Sequence, residues 1–537
     1  MESRRVGIRA AIDRVTEQYV EFDRADRDVS RDEAVFPHWR LCWQGCVFAR
    51  GRVNNRDLVA TLVEQVEYKG DNEWFRSAAA QGLGALGPVL GDRAGEVVAA
   101  LVERVKDKKD HVWPRSFAAG ALGVLGPVLG DRVGEVVAAL LERVKDKRDD
   151  GGLRRSAAEA LGVLGPVLDN RAGEVVAVLV ERVRDKEDKG LRHSAAEGLG
   201  VLGLVLGHRA GEVVAALVET VKDKKDRGLR RCAAEALGVL GPVLGDRTGE
   251  VVAALVERVE DKGDDDYLRR SAAGALGVLC PVLGDRAGEV IAALEERVKD
   301  KRDDGWFRRS AAEALGVLGP VLDNRAGEVV AALVERVKDK EDDEWFRGSA
   351  AAALGVLGPV LGDRVGEMVA ALVELVKDKG DNWGLRDSAA TALGVLGPVL
   401  GDRAGEVVAA LVERVKDKGD NGGVRHSAAG ALGVLCPVLG DGDGNVVAAL
   451  VERFKDKEDD GGLRHSAAGA LGVLGPVLGD GAGNAVAALV ERVKEQEEDG
   501  DVRRYAAGAL ERLSSAGWRW RRMGPPTWIA QVVLLAH

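Results

Sequence analysis

Large aromatic side chains are scarce in this 537-residue chain, and only 4% of its residues are aromatic. A globular enzyme core of this length normally uses more of them, because they bury the most area per residue. The five cysteines, an odd number in a long chain, predict no disulfide framework. The longest apolar run near either end, residues 528–536, is too short to span a bilayer and is interrupted by Gln531. These shortages argue against a globular enzyme, a disulfide-rich secreted protein and a membrane-spanning protein.

The remaining composition is that of a soluble, folded chain. A hydrophobic content of 46% is too high for disorder, and 31% charged residues is too high for a membrane bundle. The segment before Glu21 contains Arg4, Arg5, Arg9 and Arg14 with acids between them and no apolar stretch, so it predicts no secretory signal. The net charge of −11 disfavours a nucleic-acid coat protein. We therefore predict a cytoplasmic protein with reduced thiols and no membrane span, for which nucleic acid is a disfavoured partner.

A tandem repeat dominates the sequence. The segment Leu-Gly-Pro-Val-Leu-Gly-Asp at 86–92 returns with a 39-residue period, and at Leu204 the frame continues without its proline. Two units, which begin at Pro166 and Leu204, are one residue shorter, and the missing residue falls between Asp188 and Leu191 or at the equivalent place in the next copy. Tandem periods of this length are typical of stacked supersecondary units. A deletion tolerated at this place predicts a loop there.

Each unit predicts two helices. In the unit that starts at Pro281, Asp285 is of a residue type favoured as an N-cap, and apolar residues then recur every three or four positions. A loop at 300–305 follows, and a second helix is expected over 306–318, with Phe307 and Leu315 on its buried side. The proline that follows each second helix is expected to stop or kink it.

Comparison of the repeats indicates which glycine positions require a left-handed backbone. The position of Gly319 is occupied by cysteine in two repeats, so we expect no positive φ angle there. The position of Gly91 alternates only with Asp169 and Asp323, and aspartate tolerates the left-handed region better than most residues. We therefore expect a left-handed residue before each first helix.

The string at 153–165, Leu-Arg-Arg-Ser-Ala-Ala-Glu-Ala-Leu-Gly-Val-Leu-Gly, resembles the second helix of HEAT-like repeats, a type also found in phycobilin lyases. The resemblance covers residues 57–513 and implies an all-α fold, a right-handed α-solenoid of about 12 stacked antiparallel helix pairs. Such pairs cannot bury their apolar faces alone, so each must be stabilised by its neighbours. We predict a partly irregular N-terminal helical cap at 1–56, the solenoid at 57–513, and a basic, aromatic C-terminal cap or tail at 514–537.

One arginine recurs at the start of every second helix, usually five residues after an acid. In HEAT-type repeats, which these resemble, such Asp and Arg residues form a hydrogen-bonded ladder between units. The alternative is a cationic row on the concave face that binds phosphates or an acidic partner. The residues for either role are Arg154, Arg192, Arg230, Arg269, Arg308, Arg347, Arg386, Arg425 and Arg464. A more variable second arginine follows in some copies, as at Arg270 and Arg309, and its variability predicts a solvent-facing position that could tune recognition.

The loop between the two helices differs most among the copies, because some copies place aromatic residues there and others only glycine. One interpretation is that each ring covers the apolar edge of the adjacent pair. The other is that exposed rings anchor a protein partner, since Trp, Tyr and Arg are favoured hot-spot residues. The candidate partner-binding residues are Trp74, Phe75, Trp113, Tyr267, Trp306, Phe307, Trp345, Phe346 and Trp383.

Catalytic and metal-binding signatures are weak. The sequence contains no HExxH, no GxxxxGK[ST], no CxxC pair and no GxSxG. Residues 441–445 with Glu452 mimic a calcium loop, but Val446 stands where that loop needs glycine. Cys42 and Cys46 lie four residues apart without an evident fourth ligand, so we interpret them as reduced core thiols. We predict no catalytic residue, no metal and no cofactor.

The function predicted from these features is a non-catalytic scaffold or adaptor, monomeric, that binds another protein along its concave face and aromatic-bearing loops. An anion or nucleic-acid module that uses the arginine row is one alternative. Phycobilin-lyase-like chromophore handling is the other, and it would need a reactive, partly exposed cysteine, whereas Cys232, Cys280 and Cys436 occupy ordinary small-residue positions. The basic, aromatic cluster at 518–522 is interpreted as a terminal cap, with an anionic surface as the alternative ligand.

Overall fold

The structure, a computed structural model, describes residues 55–68, 73–361, 365–435, 444–474, 482–495 and 500–515. Within these ranges all regular structure is helical, with 24 α-helices and short 3-10 helices between them. The chain divides into two compact units, Met1–Ala254 and Leu255–His537. The predicted terminal caps lie outside the described residues, except that residues 55–56 and 514–515 belong to helices.

The first unit consists of helix pairs, each with a first and a second helix. The pairs are Asn55–Glu67 (α1) with Glu73–Ala85 (α2), Ala94–Lys106 (α3) with Val112–Val124 (α4), Val133–Lys145 (α5) with Gly151–Val163 (α6), Ala172–Arg184 (α7) with Lys189–Val201 (α8), and Ala210–Lys222 (α9) with Arg227–Val239 (α10). Helix α11, Thr248–Glu260, begins in this unit and ends in the second.

The second unit repeats the same arrangement. After Asp266–Val278 (α12) come Ala287–Lys299 (α13) with Gly305–Val317 (α14), Ala326–Lys338 (α15) with Glu344–Leu361 (α16), Val365–Lys377 (α17) with Trp383–Val395 (α18), Ala404–Lys416 (α19) with Gly422–Val434 (α20), Gly444–Lys455 (α21) with Gly461–Val473 (α22), and Ala482–Lys494 (α23) with Gly500–Ser515 (α24). The predicted all-α solenoid of stacked helix pairs is confirmed.

The core of each repeat lies between its two helices and those of its neighbours. On α13 the apolar positions Val290, Leu294 and Val298 have no exposed surface, and on α14 the predicted buried residues Phe307 and Leu315 have none either. Within each unit, second helices of consecutive repeats pack on each other more extensively than first helices do. Small residues allow this approach, because they bring the backbones of adjacent helices close together.

The predicted N-cap of the first helix is wrong. Asp285 lies inside a 3-10 helix, Gly284–Arg286, and the N-cap residue of α13 is Arg286, whose side chain forms no cap hydrogen bond. Arg286 already has nearly helical dihedral angles, whereas a side-chain cap requires an extended residue at this position. The capping aspartate belongs to the second helix, where Asp304 accepts hydrogen bonds from the backbone N–H groups of Trp306 and Phe307.

The link between repeats consists of two 3-10 helices with a left-handed residue at the start of the second. This residue is Gly284 (φ 49°) in one copy and Asp323 (φ 45°) in the next, so the predicted left-handed position is confirmed. The short helices are Gly87–Val89, Gly91–Arg93, Gly126–Val128, Gly130–Arg132, Gly165–Val167, Asp169–Arg171, Leu202–Val205, Gly207–Arg209, Gly241–Val243, Gly245–Arg247, Cys280–Val282, Gly284–Arg286, Gly319–Val321, Asp323–Arg325, Gly397–Val399 and Gly401–Arg403. Most second helices end before the proline, but α16 continues through Pro359 to Leu361.

Candidate functional site: the exposed face of the second helices

The recurrent arginine at the start of each second helix lies inside the stack. All nine arginines predicted as a ladder or an anion row are buried, with 2–7% of their surface exposed. Arg308 donates to the backbone oxygen of Val298 at 2.9 Å and to both carboxylate oxygens of Asp342, which belongs to the next repeat. The guanidinium groups therefore join neighbouring repeats and present almost no surface to a phosphate or an acidic partner.

The same pairing, between an arginine and an aspartate 34 residues later, recurs in both units. The other pairs are Arg76–Asp110 (2.7 Å), Arg115–Asp149 (2.9 Å), Arg154–Asp188 (2.7 Å), Arg192–Asp226 (3.7 Å), Arg269–Asp303 (2.8 Å), Arg347–Asp381 (2.9 Å), Arg386–Asp420 (2.6 Å) and Arg425–Asp459 (2.7 Å). Burial opposes ionisation of Asp420, but hydrogen bonds from Arg386 and from a backbone N–H outweigh it and hold the pKa of this carboxyl below its usual value. The carboxylate therefore stays charged at neutral pH.

A second buried arginine, on the first helix, was not identified from the sequence. Arg297 is 2% exposed and donates to Asp303 at 3.2 Å, while Arg269 of the preceding repeat donates to the other carboxylate oxygen at 2.8 Å. One aspartate thus bridges two guanidinium groups from two repeats. The signal that could have revealed it is the spacing, because an arginine stands six residues before the bridging aspartate in most copies. Thr220 and Leu375 replace it in two copies.

A second set of ion pairs between repeats is exposed to solvent. Lys262 contacts Asp300 of the next repeat at 2.6 Å, and Lys340 contacts Asp378 in the same way at 2.5 Å. The hydrogen bond from Lys340 is the main cause that lowers the pKa of the Asp378 carboxyl. Because these lysines are half exposed or more, their pairs contribute less to stability than the buried ones.

The aromatic residues of the variable loop fall into two classes. Six of them expose between 49 and 66% of their surface, namely Trp74, Trp113, Tyr267, Trp306, Trp345 and Trp383. Phe75 is half-buried. Each of these side chains therefore leaves about half or more of its surface available to a partner. These six side chains stand at or next to the first turns of their second helices.

Phe307 and Phe346 were predicted as partner-binding residues, and this prediction is wrong. Neither has any exposed surface. The guanidinium carbon of Arg269 lies 3.9 Å from the ring centroid of Phe307, and that of Arg308 lies 4.0 Å from the centroid of Phe346. Because the ladder arginine of the preceding repeat covers the ring, these phenylalanines act within the stack and not at its surface.

The exposed face of each second helix consists of residues three or four positions apart. On α14 these are Trp306, Arg309, Glu313 and Val317, of which the tryptophan, glutamate and valine are exposed and the arginine is half-buried. We call the corresponding surface of all repeats the second-helix face. Its aromatic end and its valine end are about 16 Å apart, given the helical rise per residue.

The valine end of this face was not recognised in the sequence. One valine in each of ten consecutive second helices exposes 44–59% of its surface: Val124, Val163, Val201, Val239, Val278, Val317, Val356, Val395, Val434 and Val473. Single exposed apolar residues are ordinary on a protein surface. Their recurrence at every repeat gives each unit a regular apolar row.

Aromatic and arginine side chains alternate on the second-helix face of the second unit. The guanidinium carbon of Arg270 lies 5.6 Å from the ring centroids of both Tyr267 and Trp306, and that of Arg309 lies 5.7 Å from Trp306. These distances are within the range of cation–π attraction. In the first unit the aromatic group is different, because Trp74 and Trp113 stack directly with centroids 6.2 Å apart.

The two described cysteines are buried and poorly reactive. Cys232 is 2% exposed, and burial together with its hydrogen bond to Glu197 raises its pKa to about 12. Burial also raises the pKa of Cys280, which is 8% exposed. A thiol in this state is a poor nucleophile, because the thiolate is the reactive form.

Several predicted features lie outside the described residues: Cys42, Cys46 and Cys436, the segment 441–443 of the calcium-like loop, and the cluster at 518–522. Among the residues that the structure describes, no group of three or more His, Cys, Asp or Glu side chains is placed to hold a metal ion. No helix in the described ranges combines the length and the apolar composition needed to cross a bilayer.

Comparison with known families agrees with this architecture. Residues 176–277 match the family model for HEAT repeats. The match confirms the predicted resemblance to HEAT-like repeats. No curated protein matches its sequence significantly.

Solved structures of HEAT-like solenoids share the fold. Importin beta, crystallised in an ammonium sulfate condition, superposes with a TM-score of 0.59 at 14% identity over 93% of this chain and 66% of that one. Yeast importin-beta (Kap95p) gives 0.56 at 14% identity over 94% and 65%, and Kap121p bound to Pho4p gives 0.56 at 14% over 93% and 56%. The chain spans between 56 and 66% of the length of these proteins, and at such identity the similarity shows the fold alone.

Proposed function

We propose that this HEAT-like protein is a non-catalytic scaffold or adaptor that binds another protein through the second-helix face. The observation that carries the proposal is the exposure of aromatic side chains in consecutive repeats, above all Tyr267, Trp306 and Trp345. Tryptophan, tyrosine and arginine are the residues that most often dominate the energy of a protein interface. The valine row at the other end of the same face supplies further apolar surface.

The two alternative functions have less support. All nine arginines that would bind nucleic acid or another anion are buried, and seven of them pair with aspartates, so they present almost no surface to phosphates. Chromophore attachment would require an exposed thiolate, whereas Cys232 and Cys280 are buried with raised pKa values. The cytoplasmic location and the monomeric state remain predictions from the sequence.

Proteins with the same fold provide a precedent for the binding of other proteins. Kap121p has been solved bound to Pho4p and bound to Ste12p. Such stacks expose a long surface, so several anchors in successive repeats can contact one partner. Here the anchors would be the exposed rings.

A pull-down with the intact chain tests the proposal. Because both side chains are exposed, the double substitution Trp306→Ala and Trp345→Ala should leave the fold intact and reduce partner recovery about tenfold or more, as expected for the loss of hot-spot residues. Arg302→Ala is a suitable control, since it removes an 84% exposed side chain from the loop of the same repeat. Equal recovery with the double variant and the control would contradict the proposal.

A further inference from the structure

The aromatic–arginine row of the second unit consists of Tyr267, Arg270, Trp306, Arg309 and Trp345. Arg270 lies 5.6 Å from the rings on both sides of it, so one guanidinium group spans the gap between Tyr267 and Trp306. One ring is contributed by each of three consecutive second helices. The row therefore presents an aromatic side chain at every repeat, with a guanidinium group between the first two.

Close packing of the second helices sets the distance between the backbones that carry these rings. A Cβ added to Gly277 would lie 3.2 Å from the Cα of Ala314, and one added to Gly316 would lie 3.2 Å from the Cα of Ala353. Helices in such close contact have axes about 8–10 Å apart. A polyproline II helix has three residues per turn and rises about 3.1 Å per residue, which gives a turn of about 9.3 Å. Every third residue of such a segment, laid across the second helices, would therefore meet the next helix of the row.

We propose that the aromatic–arginine row binds a proline-rich segment of the partner protein in the polyproline II conformation, with prolines at three-residue intervals and acidic residues beside them. This inference rests on the proposed function and names the ligand class of the same surface. Aromatic-lined grooves bind such segments well because the polyproline II helix is preformed and loses little entropy. Its carbonyl oxygens have no internal hydrogen bonds and can accept from the arginine side chains.

Charge determines the acidic preference. Arg309 donates to Glu313 on its own helix at 2.8 Å, so its charge is partly compensated. The residue four positions after Arg270 is Gly274, so the equivalent carboxylate is missing from that helix. Asp266, four positions before Arg270, pairs instead with Arg269 at 3.3 Å. Arg270 is therefore the group that would pair with a carboxylate of the ligand.

Fluorescence anisotropy with the full chain and labelled 12-residue peptides tests this inference. A peptide that repeats Pro-Pro-Glu should bind at least tenfold more tightly than peptides that repeat Ala-Ala-Glu or Pro-Pro-Lys. Trp306→Ala and Arg270→Ala should each weaken its binding about tenfold. Arg302→Ala should leave the affinity unchanged, because Arg302 is 84% exposed in the loop before α14 and does not belong to the row.

The outcomes separate this inference from the proposed function. The inference is overturned if the Pro-Pro-Glu peptide does not bind, if the Ala-Ala-Glu or Pro-Pro-Lys peptide binds equally well, or if Arg302→Ala weakens binding as much as Trp306→Ala does. If the inference fails in this way while the Trp306→Ala and Trp345→Ala variant still loses its partner, the scaffold function stands and only the ligand class is wrong.

Discussion

Replacing Asp303 by alanine would remove a carboxylate that bridges two repeats of the second unit. Asp303 accepts hydrogen bonds from Arg269 at 2.8 Å and from Arg297 at 3.2 Å, and the side chains of all three are 3–4% exposed. The substitution would leave both guanidinium groups buried with only the more exposed carboxylates of Asp266 and Glu296 beside them. Water cannot replace the lost carboxylate at so little exposure, so the cost of the poorly compensated charges is large.

The chain contains a matched control for the magnitude. Asp381 occupies the same position one repeat beyond Asp342, but the residue six positions before it is Leu375, so it accepts only from Arg347 at 2.9 Å. Removing one partner of a buried ion pair costs about 3–5 kcal/mol, so we expect Asp381→Ala to cost about 3 kcal/mol. Asp303→Ala should cost about 1.5–3 kcal/mol more, which is the typical contribution of one additional hydrogen bond between charged groups.

Native-state hydrogen exchange is the suitable assay, because repeat proteins open locally and a single unfolding free energy does not describe them. Protection of the amides of α14 would report the effect of Asp303→Ala, and protection of α18 that of Asp381→Ala. A double-mutant cycle can include Arg297→Leu, which introduces the residue type found at Leu375. In this background, the cost of Asp303→Ala in opening free energy should approach the cost of Asp381→Ala. The bridging role would be refuted if Asp303→Ala and Asp381→Ala lowered the opening free energy equally, both with Arg297 present and with Arg297 replaced.

Three further predictions concern packing, thiol reactivity and pH. Gly162→Ala should destabilise the first unit by about 1–3 kcal/mol in thermal unfolding, because its Cβ would lie 2.7 Å from the backbone of the next second helix. Gly274→Ala, which has open space around it, should be neutral or stabilising by up to about 1 kcal/mol. Cys232, with its pKa raised to about 12 by burial first of all, should react with iodoacetamide only after unfolding, as mass spectrometry would show. Burial opposes ionisation of Asp420, but hydrogen bonds from Arg386 hold its pKa in the folded protein below the value in the unfolded chain, which is about 3.9. The ionised carboxylate therefore stabilises the fold fully above about pH 3.9. This stabilisation is lost as the pH falls through the pKa of the folded state.

Each of these predictions has a contradicting result. Equal melting temperatures for the two glycine variants would show that the second helices are not in close backbone contact. Labelling of Cys232 at the rate of a free thiol in the native protein would show that it is accessible. Denaturation midpoints that do not change between pH 5 and pH 2 would show that the buried carboxylates contribute nothing.

The fold was predictable from the sequence because the repeat supplies many comparisons within one chain. The two-helix unit, the left-handed position and the buried side of the second helix all follow from residues that recur, and the structure has them where they were expected. The capping residue was not predictable by the same reasoning. Asp285 and Asp304 are both of a residue type that caps helices, so the residue type alone does not distinguish them. The backbone before each helix does. Arg286, which precedes the first helix, already has nearly helical dihedral angles and leaves no place for a cap by Asp285, whereas Asp304 caps the second helix.

The surface was harder to predict than the fold. Adjacent aromatic residues such as Trp306 and Phe307 look equivalent in the sequence, but one is 51% exposed and the other is fully buried. Consecutive residues of a helix point in directions about 100° apart, so a difference of one position moves a ring from the surface to the core. The exact start of the second helix decides which ring is exposed, and the sequence predicted that start to within only one residue.

The two shorter repeats show which spacing the stack requires. In a 39-residue repeat, Asp149 pairs with Arg115 at 2.9 Å and its neighbour Asp150 caps the second helix. In the 38-residue repeat, Asp188 does both, because it pairs with Arg154 at 2.7 Å and also accepts from the backbone N–H of Leu191. The residue was therefore lost where the helix begins, and the distance from arginine to aspartate stays at 34 residues in both kinds of repeat. The spacing that both kinds of repeat keep is the one between the aspartate and the arginine of the preceding repeat. The spacing between the aspartate and the next arginine along the chain changes by one residue. A deletion here is tolerated because it removes a separate cap and preserves the contact between repeats.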